Sequence, residues 1–407
     1  MPSRSGQLTF SSEPTLWYRI GWPLFFAGVP FQGWSTPGLL LLVVDWVLAR
    51  RRLRAELPTT YRIAVLSLVA VFVLTSAAAS RPFEAFGTAL GFTLTLLFGA
   101  DYSFRLARMG LTGVVLSRYL WPVPIAGTLH ALLGIYQYIT TNARAAGTTI
   151  NPNHFGTLMI IAGFLGAAYL LPKRNWMRWL SIPYGLIILA GLLVSGSRGS
   201  WVAAVVGLVV VTGLHLRKIC REHPGRGLRT TLIWLIAAVV IGAAIFQLAG
   251  ATFQVRVLSI FDVESNMDRV IVYRTMGRLI ADHPWLGVGL NNIKYEYGQY
   301  RIDEKLKIHG MAHNMFLQVL GETGIFGLIA TCFLLGFWLV RGFPLPGAPR
   351  DLWWLYALLV ALLVRDQFDG TLLNLNLAFL LNWLGATLVG CRLREASELP
   401  RGGTEGV

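Results

Sequence analysis

Residues 185–214 run GLIILAGLLVSGSRGSWVAAVVGLVVVTGL, two apolar stretches parted by Ser195-Gly196-Ser197-Arg198-Gly199-Ser200. With their flanks the stretches cover 177–195 and 199–216. Each is close to the roughly 20 residues that an α-helix needs to cross a bilayer. Only a tight turn fits between them, so the chain is expected to cross, turn and cross back with Arg198 at the centre of the turn. An ionisable side chain beside hydrocarbon is costly, and it marks a candidate functional site.

The same pattern recurs along the whole chain. Of 407 residues, 55% are hydrophobic and only 14% charged, against about 25% charged in a soluble domain. Mean hydropathy is +0.57. Apolar windows and breakers predict about twelve transmembrane helices, at 17–32, 36–50, 60–79, 85–104, 112–138, 154–171, 177–195, 199–216, 230–250, 313–340, 352–368 and 371–391. The fold class is therefore an all-α polytopic membrane protein. Tryptophans and tyrosines near run ends, such as Trp17, Tyr18, Trp176, Trp179, Trp353 and Trp354, fit an interfacial aromatic belt.

The net charge of +15 raises the question of nucleic acid, but its distribution speaks for topology. Arg50, Arg51, Arg52 and Arg54, then Arg105 and Arg108, then Lys173, Arg174 and Arg178 fall on one side of the thread. Arg217, Lys218 and Arg229, then Arg341 and Arg350, then Arg392 and Arg394 fall on that side too. The short links opposite hold single charges: Arg81, Arg144, Arg198 and Arg365. This is the positive-inside pattern, and it assigns both termini to the cytoplasm and leaves no nucleic-acid partner. The expected organisation is helices 1–9 over 1–250, a large loop over 251–312, helices 10–12 over 313–391 and a cytoplasmic tail over 392–407. The loop lies opposite the cytoplasm, which is the periplasm of a Gram-negative cell. The polar start, Met1 to Pro14, has no apolar core of a cleavable signal peptide, so the first span is expected to direct insertion. Cys220, Cys332 and Cys391 show neither metal nor redox spacing.

Within the loop, Asp268 to Asp282 is predicted to be a helix with Val270, Tyr273, Gly277 and Ile280 on one stripe. Arg274 and Arg278 are four residues apart on it and repel unless they face phosphate, carboxylates or water. Four segments on the non-cytoplasmic side carry polar chemistry. They are Gly147 to His154 with its Asn151-Pro152-Asn153 turn; Ser195 to Trp201; Arg269 and Tyr273 ahead of His283-Pro284-Trp285-Leu286-Gly287-Val288-Gly289; and His313-Asn314 ahead of Glu322-Thr323-Gly324. Arginine is always charged and grips phosphate in a bidentate fork. Histidine titrates near working pH and can take a proton from a hydroxyl.

The order Asn-Pro-Asn, Ser-Gly-Ser-Arg-Gly, Arg-x3-aromatic, His-Pro-x-x-Gly-x-Gly, His-Asn with Glu-Thr-Gly resembles the O-antigen ligase superfamily. That superfamily includes O-antigen ligases, O-antigen polymerases and bacterial protein O-oligosaccharyltransferases. The matching motifs run from about 144 to 330. The resemblance implies a fold like that of type C glycosyltransferases and an inner-membrane glycosyltransferase with its active site on the periplasmic face. It implies a donor glycan on undecaprenyl diphosphate and, for a ligase, a lipid A–core hydroxyl as acceptor. It carries His313 over as the general base, and Arg198 and Arg269 as the residues that hold the diphosphate. Arg274, Arg278, Tyr273 and Asn314 are further substrate-binding candidates. The family's second arginine is usually followed four residues later by tryptophan, where this chain has Tyr273; this leaves Arg269 and Arg274 as alternatives. No carboxylate cluster with metal spacing stands beside these residues, so metal-independent, inverting chemistry without a cofactor is expected.

Plainer readings stand beside each of these. Arg198 could snorkel to headgroups, and His313 could be an interfacial histidine. Arg274 and Arg278 could form the wet face of an amphipathic helix on anionic lipid. Asn151 and Asn153 could simply cap a helix. Among functions, a polymerase or protein O-oligosaccharyltransferase shares the donor. A transporter would instead need charged or broken-helix sites near mid-membrane. The short tail after Glu398 favours the ligase over an oligosaccharyltransferase with an added C-terminal region.

Overall fold

The computed structural model describes residues 15–398 apart from 32–34, 50–55, 174–175, 224–228, parts of 234–249, 261, 263–266, 303–309 and 371–373. The described residues are mostly helical, and the helices that matter here are α1 (Leu16–Gly28), α2 (Thr36–Ala49), α3 (Thr59–Ala77), α4 (Pro82–Arg108), α5 (Pro122–Thr141), α6 (Pro152–Leu170), α7 (Ser181–Val194) and α8 (Arg198–Glu222). They continue with α9 (Gly250–Leu258), α10 (Met267–Asp282), α11 (Ile293–Tyr300), α12 (Met315–Arg341), α13 (Arg350–Arg365) and α14 (Leu375–Glu398). Seven of the described helices are long and apolar enough to cross a membrane: those at Thr59–Ala77, Pro82–Arg108, Pro152–Leu170, Trp176–Val194, Arg198–Glu222, Met315–Arg341 and Leu375–Glu398. α6 and α14 are the most enclosed of them, whereas the span ending at Val194 turns most of its surface outward. Leu66, Leu74, Leu90, Leu186, Val205, Val209 and Ile329 are exposed, the outward apolar surface expected of helices bathed in lipid.

Several boundaries differ from the sequence expectation. The run at 112–138 is not one helix: one turn at Thr112–Val114 passes into a π-turn at Val115–Tyr119, and α5 starts afresh at Pro122. Pro122 stands at the start of α5, where its missing N–H costs nothing and its fixed φ suits a first turn. α8 runs on to Glu222 and α14 to Glu398, so the helical chain extends past 216 and 391. The expected span at 230–250 lies mostly outside the described residues. On α10 the buried face is Val272, Thr275, Met276 and Leu279, with Gly277 exposed. The stripe is thus rotated from the predicted one, because α10 packs against α11 and α12 rather than lying on a single face.

α12 is broken where the sequence has Glu322-Thr323-Gly324. Gly324 has φ 64° and ψ −166°, which removes it from the helical ladder. Main-chain carbonyls freed by such a break need donors, above all in lipid. The His283–Gly289 segment supplies them: Val288 N–H donates to Gly321 O and Gly289 N–H to Glu322 O, both at 2.9 Å. In return Ile325 N–H donates to Pro284 O at 2.9 Å. The buried Glu322 carboxylate accepts from Gln318 Nε2 at 2.7 Å and from Asn291 N–H at 3.0 Å. Backbone runs so close that a Cβ on Gly287 would stand 2.4 Å from Glu322 C, and one on Gly324 would stand 2.1 Å from Trp285 O. The motif glycines therefore dock the loop onto the membrane helices. A second small core of Val272, Met276, Leu279, Val288, Ile293, Tyr297 and Ala312 then fixes α10 above α12. Gly324→Ala combines a left-handed backbone with a steric clash and should cost about 2–4 kcal/mol, read as a lower Tm in detergent. A parental Tm would show that the dock carries little stability.

Candidate active site

The turn between α7 and α8 is built by its own serines. Ser195 Oγ donates to Leu192 O at 2.6 Å and accepts from Ser197 N–H at 3.1 Å. Ser197 and Ser200 join their hydroxyls at 2.9 Å, and Gly196 takes φ 58°. All three serines are buried. With these bonds made inside the turn, its carbonyls face outward to guanidinium groups. Arg144 Nε donates to Ser195 O at 3.0 Å, and Arg256 Nη1 donates to Gly196 O at 3.2 Å. Arg198, the first residue of α8, donates through Nη1 to the carbonyl and hydroxyl oxygens of Ser259 at 2.5 and 3.0 Å.

A polar cavity opens at this turn, lined by Arg144, Arg198, Arg256, Arg269 and Arg365 together with Asn153 and Phe368. Among the described residues no acidic side chain lines it. Arg269, from the first turn of α10, donates through Nη2 to Phe368 O at 3.1 Å and lies over the Phe368 ring. The N-terminal ends of α6 and α8 both meet the cavity, and a helix N-terminus adds its own positive potential. Arginine at such an end opposes the dipole, so Arg198 sits where an anion is wanted and a cation is not. Burial, and then the charges of Arg256, Arg198 and Arg365, hold the Arg144 guanidinium down to about 10. It remains cationic at neutral pH.

Asn151 and Asn153 divide two tasks. Asn151 Oδ1 accepts from Asn153 N–H at 2.8 Å and caps α6. Asn153 Oδ1 accepts from Arg144 Nη2 at 2.8 Å, and its main-chain oxygen from Arg365 Nη2 at 3.2 Å.

His313 stands just before α12 with φ 51°, outside the helix that was expected to start at 313. Asn314 caps α12 by accepting from Leu317 N–H at 3.1 Å. Its amide nitrogen points to Gln367 at 3.3–3.4 Å. The candidate ligand-binding side chain is thus engaged in holding the chain before α12 against the 366–370 segment. The half-buried His313 ring places Nδ1 3.1 Å from Asp369 Oδ1, and Asp369 Oδ2 accepts from Arg365 Nη2 at 3.1 Å. Donation by Nδ1–H fixes the tautomer that leaves Nε2 basic. Tyr273 on α10 reaches His313 O with its hydroxyl at 3.5 Å. Burial alone pushes the Asp369 carboxyl up, but the His313 bond and the Arg365 charge outweigh it and hold it below the usual carboxylate range.

The structure brings Arg198 and Arg269 to one cavity and sets His313, with Tyr273 against it, beside the 366–370 segment that contributes Phe368 to the lining. Arg274 and Arg278 are exposed on the far face of α10 and do not line the cavity, whereas Arg269 does. Sequence reading missed four residues: Arg144, Arg256, Arg365 and Asp369. Arg144 and Arg365 had been noted only as single charges in short links. Asp369, four residues after Arg365 at the end of an apolar run, was the signal available.

Residues 183–332 match the O-antigen ligase family. The match supports the resemblance seen in the motif order over this segment, and the family it names implies a ligase- or polymerase-type, glycosyltransferase-like activity in general. No curated protein matches the chain. The O-antigen ligase segment contains the serine turn, Arg198, Arg256, Arg269 and His313. Arg144 and Asn153 precede it, and Arg365, Phe368 and Asp369 follow it. The cavity is completed by residues on both sides of the family match.

Breaking a buried ion pair typically costs about 3–5 kcal/mol, and Asp369→Asn should lose about this much at pH 7. The folded carboxyl lies below its unfolded value of about 3.9, so its contribution is fully present above that pH and fades as pH falls through the folded value. The Tm gap between parent and Asp369→Asn should hold steady down to about pH 5, begin to shrink below about pH 4, and narrow progressively as pH falls further toward the folded value. A gap independent of pH would contradict an ionised Asp369.

Proposed function

We propose that the protein is an O-antigen ligase that moves a glycan from undecaprenyl diphosphate to a hydroxyl of the lipid A–core oligosaccharide. The observation that carries this reading is the single cavity in which five arginines and two helix N-termini surround one site, with the His313–Asp369 pair beside it. Such a site suits a leaving group that gains negative charge as its bond breaks. In the proposed step the acceptor oxygen attacks the anomeric carbon as its proton passes to His313 Nε2. The bond from that carbon to the phosphate oxygen breaks, and the diphosphate leaves with the electron pair onto Arg198 and Arg269. One displacement inverts the anomeric centre. Asp369 holds the imidazole in position and stabilises the imidazolium that forms, the part a carboxylate plays beside a catalytic histidine elsewhere.

The chain is read as crossing a bacterial inner membrane about twelve times, with both termini in the cytoplasm and residues 251–312 in the periplasm. The alternation of basic links supports this. The diphosphate would then lie at the outer leaflet, on the side of the membrane where a glycan acceptor is found. A polymerase or protein O-oligosaccharyltransferase has the same donor and differs only in acceptor.

The test is transfer by purified full-length protein from undecaprenyl-diphosphate glycan to lipid A–core, to a second glycan repeat or to a pilin-like protein. Transfer to lipid A–core is expected; transfer to either of the others alone would move the reading to the corresponding relative. His313→Ala should lower kcat by a factor on the order of 10²–10⁴, and Arg198→Ala or Arg269→Ala by about 10²–10³ each. Parental rates in these variants would remove the assigned roles. Activity should persist in chelator, and loss restored by a divalent ion would refute metal-free chemistry.

A further inference from the structure

Arg365 ends α13 with a side chain only 1% exposed. Two sides of its guanidinium are engaged: Nε donates to Ser200 Oγ at 2.9 Å, and Nη2 donates to Asn153 O and Asp369 Oδ2 at 3.2 and 3.1 Å. The third side is not. Nη1 is buried and has no partner, although Arg365 lines the arginine cavity. A buried charged donor left without an acceptor is costly, and a guanidinium fork is the group best shaped to receive a phosphate oxygen. Asp369, held on Nη2, is the same carboxylate that holds His313 Nδ1.

We propose that Arg365 links the two ends of the reaction, receiving a donor phosphate oxygen on Nη1 at the cavity floor while its Nη2 keeps Asp369, and through it His313, in place. This rests on the transfer reading above and adds a residue that lies outside the family match. Arg198 and Arg269 then hold the diphosphate nearer the opening, and Arg365 takes it from beneath. The base is aligned by the same side chain that senses the donor. Arg365 is thus a substrate-contacting residue on one edge and a positioning residue on the other.

The two roles separate by variant. Full-length protein in phosphatidylcholine nanodiscs is titrated with inorganic pyrophosphate, and transfer is measured at saturating undecaprenyl-diphosphate glycan. Arg365→Gln should weaken pyrophosphate binding on the order of tenfold or more and should also lower kcat. Asp369→Asn should lower kcat while leaving pyrophosphate affinity within about twofold of the parent, since it does not touch the ligand. Arg365→Lys, which keeps the charge and loses the fork, should bind with intermediate affinity; if Arg365→Gln does not fold, this variant decides alone. Parental affinity in the folded Arg365 variants, with Arg198→Ala weakened, would overturn the inference and leave the transfer reading standing. Equal loss of binding in Asp369→Asn would overturn it too, by assigning the effect to the integrity of the ion pair. Parental affinity in Arg198→Ala, Arg269→Ala and the Arg365 variants together would remove the diphosphate reading itself.

Discussion

Five guanidinium groups held around one cavity repel one another, and the surrounding structure is arranged to make this tolerable. Main-chain and side-chain oxygens take their N–H groups: Ser195 and Gly196 carbonyls from the serine turn, Ser259 from the end of α9, Phe368 from the segment after α13, and Asn153 from the start of α6. Neutral oxygens satisfy hydrogen bonds without cancelling charge. Asp369 supplies a full negative charge to Arg365, and Asp262 lies within electrostatic reach of Arg198. The cavity therefore keeps a surplus of positive potential in a place that is partly screened from water, where an anion gains most.

The same economy explains the helix ends. The turn at 195–200 closes its own hydrogen bonds through three buried serines, so its carbonyls are free to orient Arg144 and Arg256. The break at Gly324 exposes carbonyls that the His283–Gly289 segment fills, and that docking brings α10 over the start of α12. Arg269 and Tyr273 consequently face the cavity and His313, while Arg274 and Arg278, on the other side of α10, face outward. Motif glycines in this chain serve backbone approach, and Arg269, Tyr273 and His313 are placed as a result.

Much of this was legible in the sequence. Apolar runs with basic links gave a helical membrane protein, and helices began within a few residues of expectation at Pro152 and Asn314, where a proline and an asparagine mark the start, but not at Pro122. Polar residues at one face, in the order of the family's motifs, marked Arg198, Arg269 and His313 as candidates. What was not legible depends on contacts between distant segments. A lone arginine in a short link, such as Arg144 or Arg365, looks like a topology signal until its partners are known. Asp369 pairs with a histidine 56 residues away, and no periodicity encodes that. The rotated face of α10 has the same origin: its hydrophobic pattern was read as one stripe, but two neighbours, α11 and α12, compete for it.

The most direct test of the account is a cryo-EM reconstruction of the full-length protein with an undecaprenyl-diphosphate glycan bound. The account predicts phosphate density inside the arginine cavity, between Arg198 and Arg269 and above Arg365, with the anomeric carbon turned toward His313 Nε2. A diphosphate seated elsewhere, for example against Arg217, Lys218 and Arg221 at the opposite end of α8, with the arginine cavity empty, would contradict it.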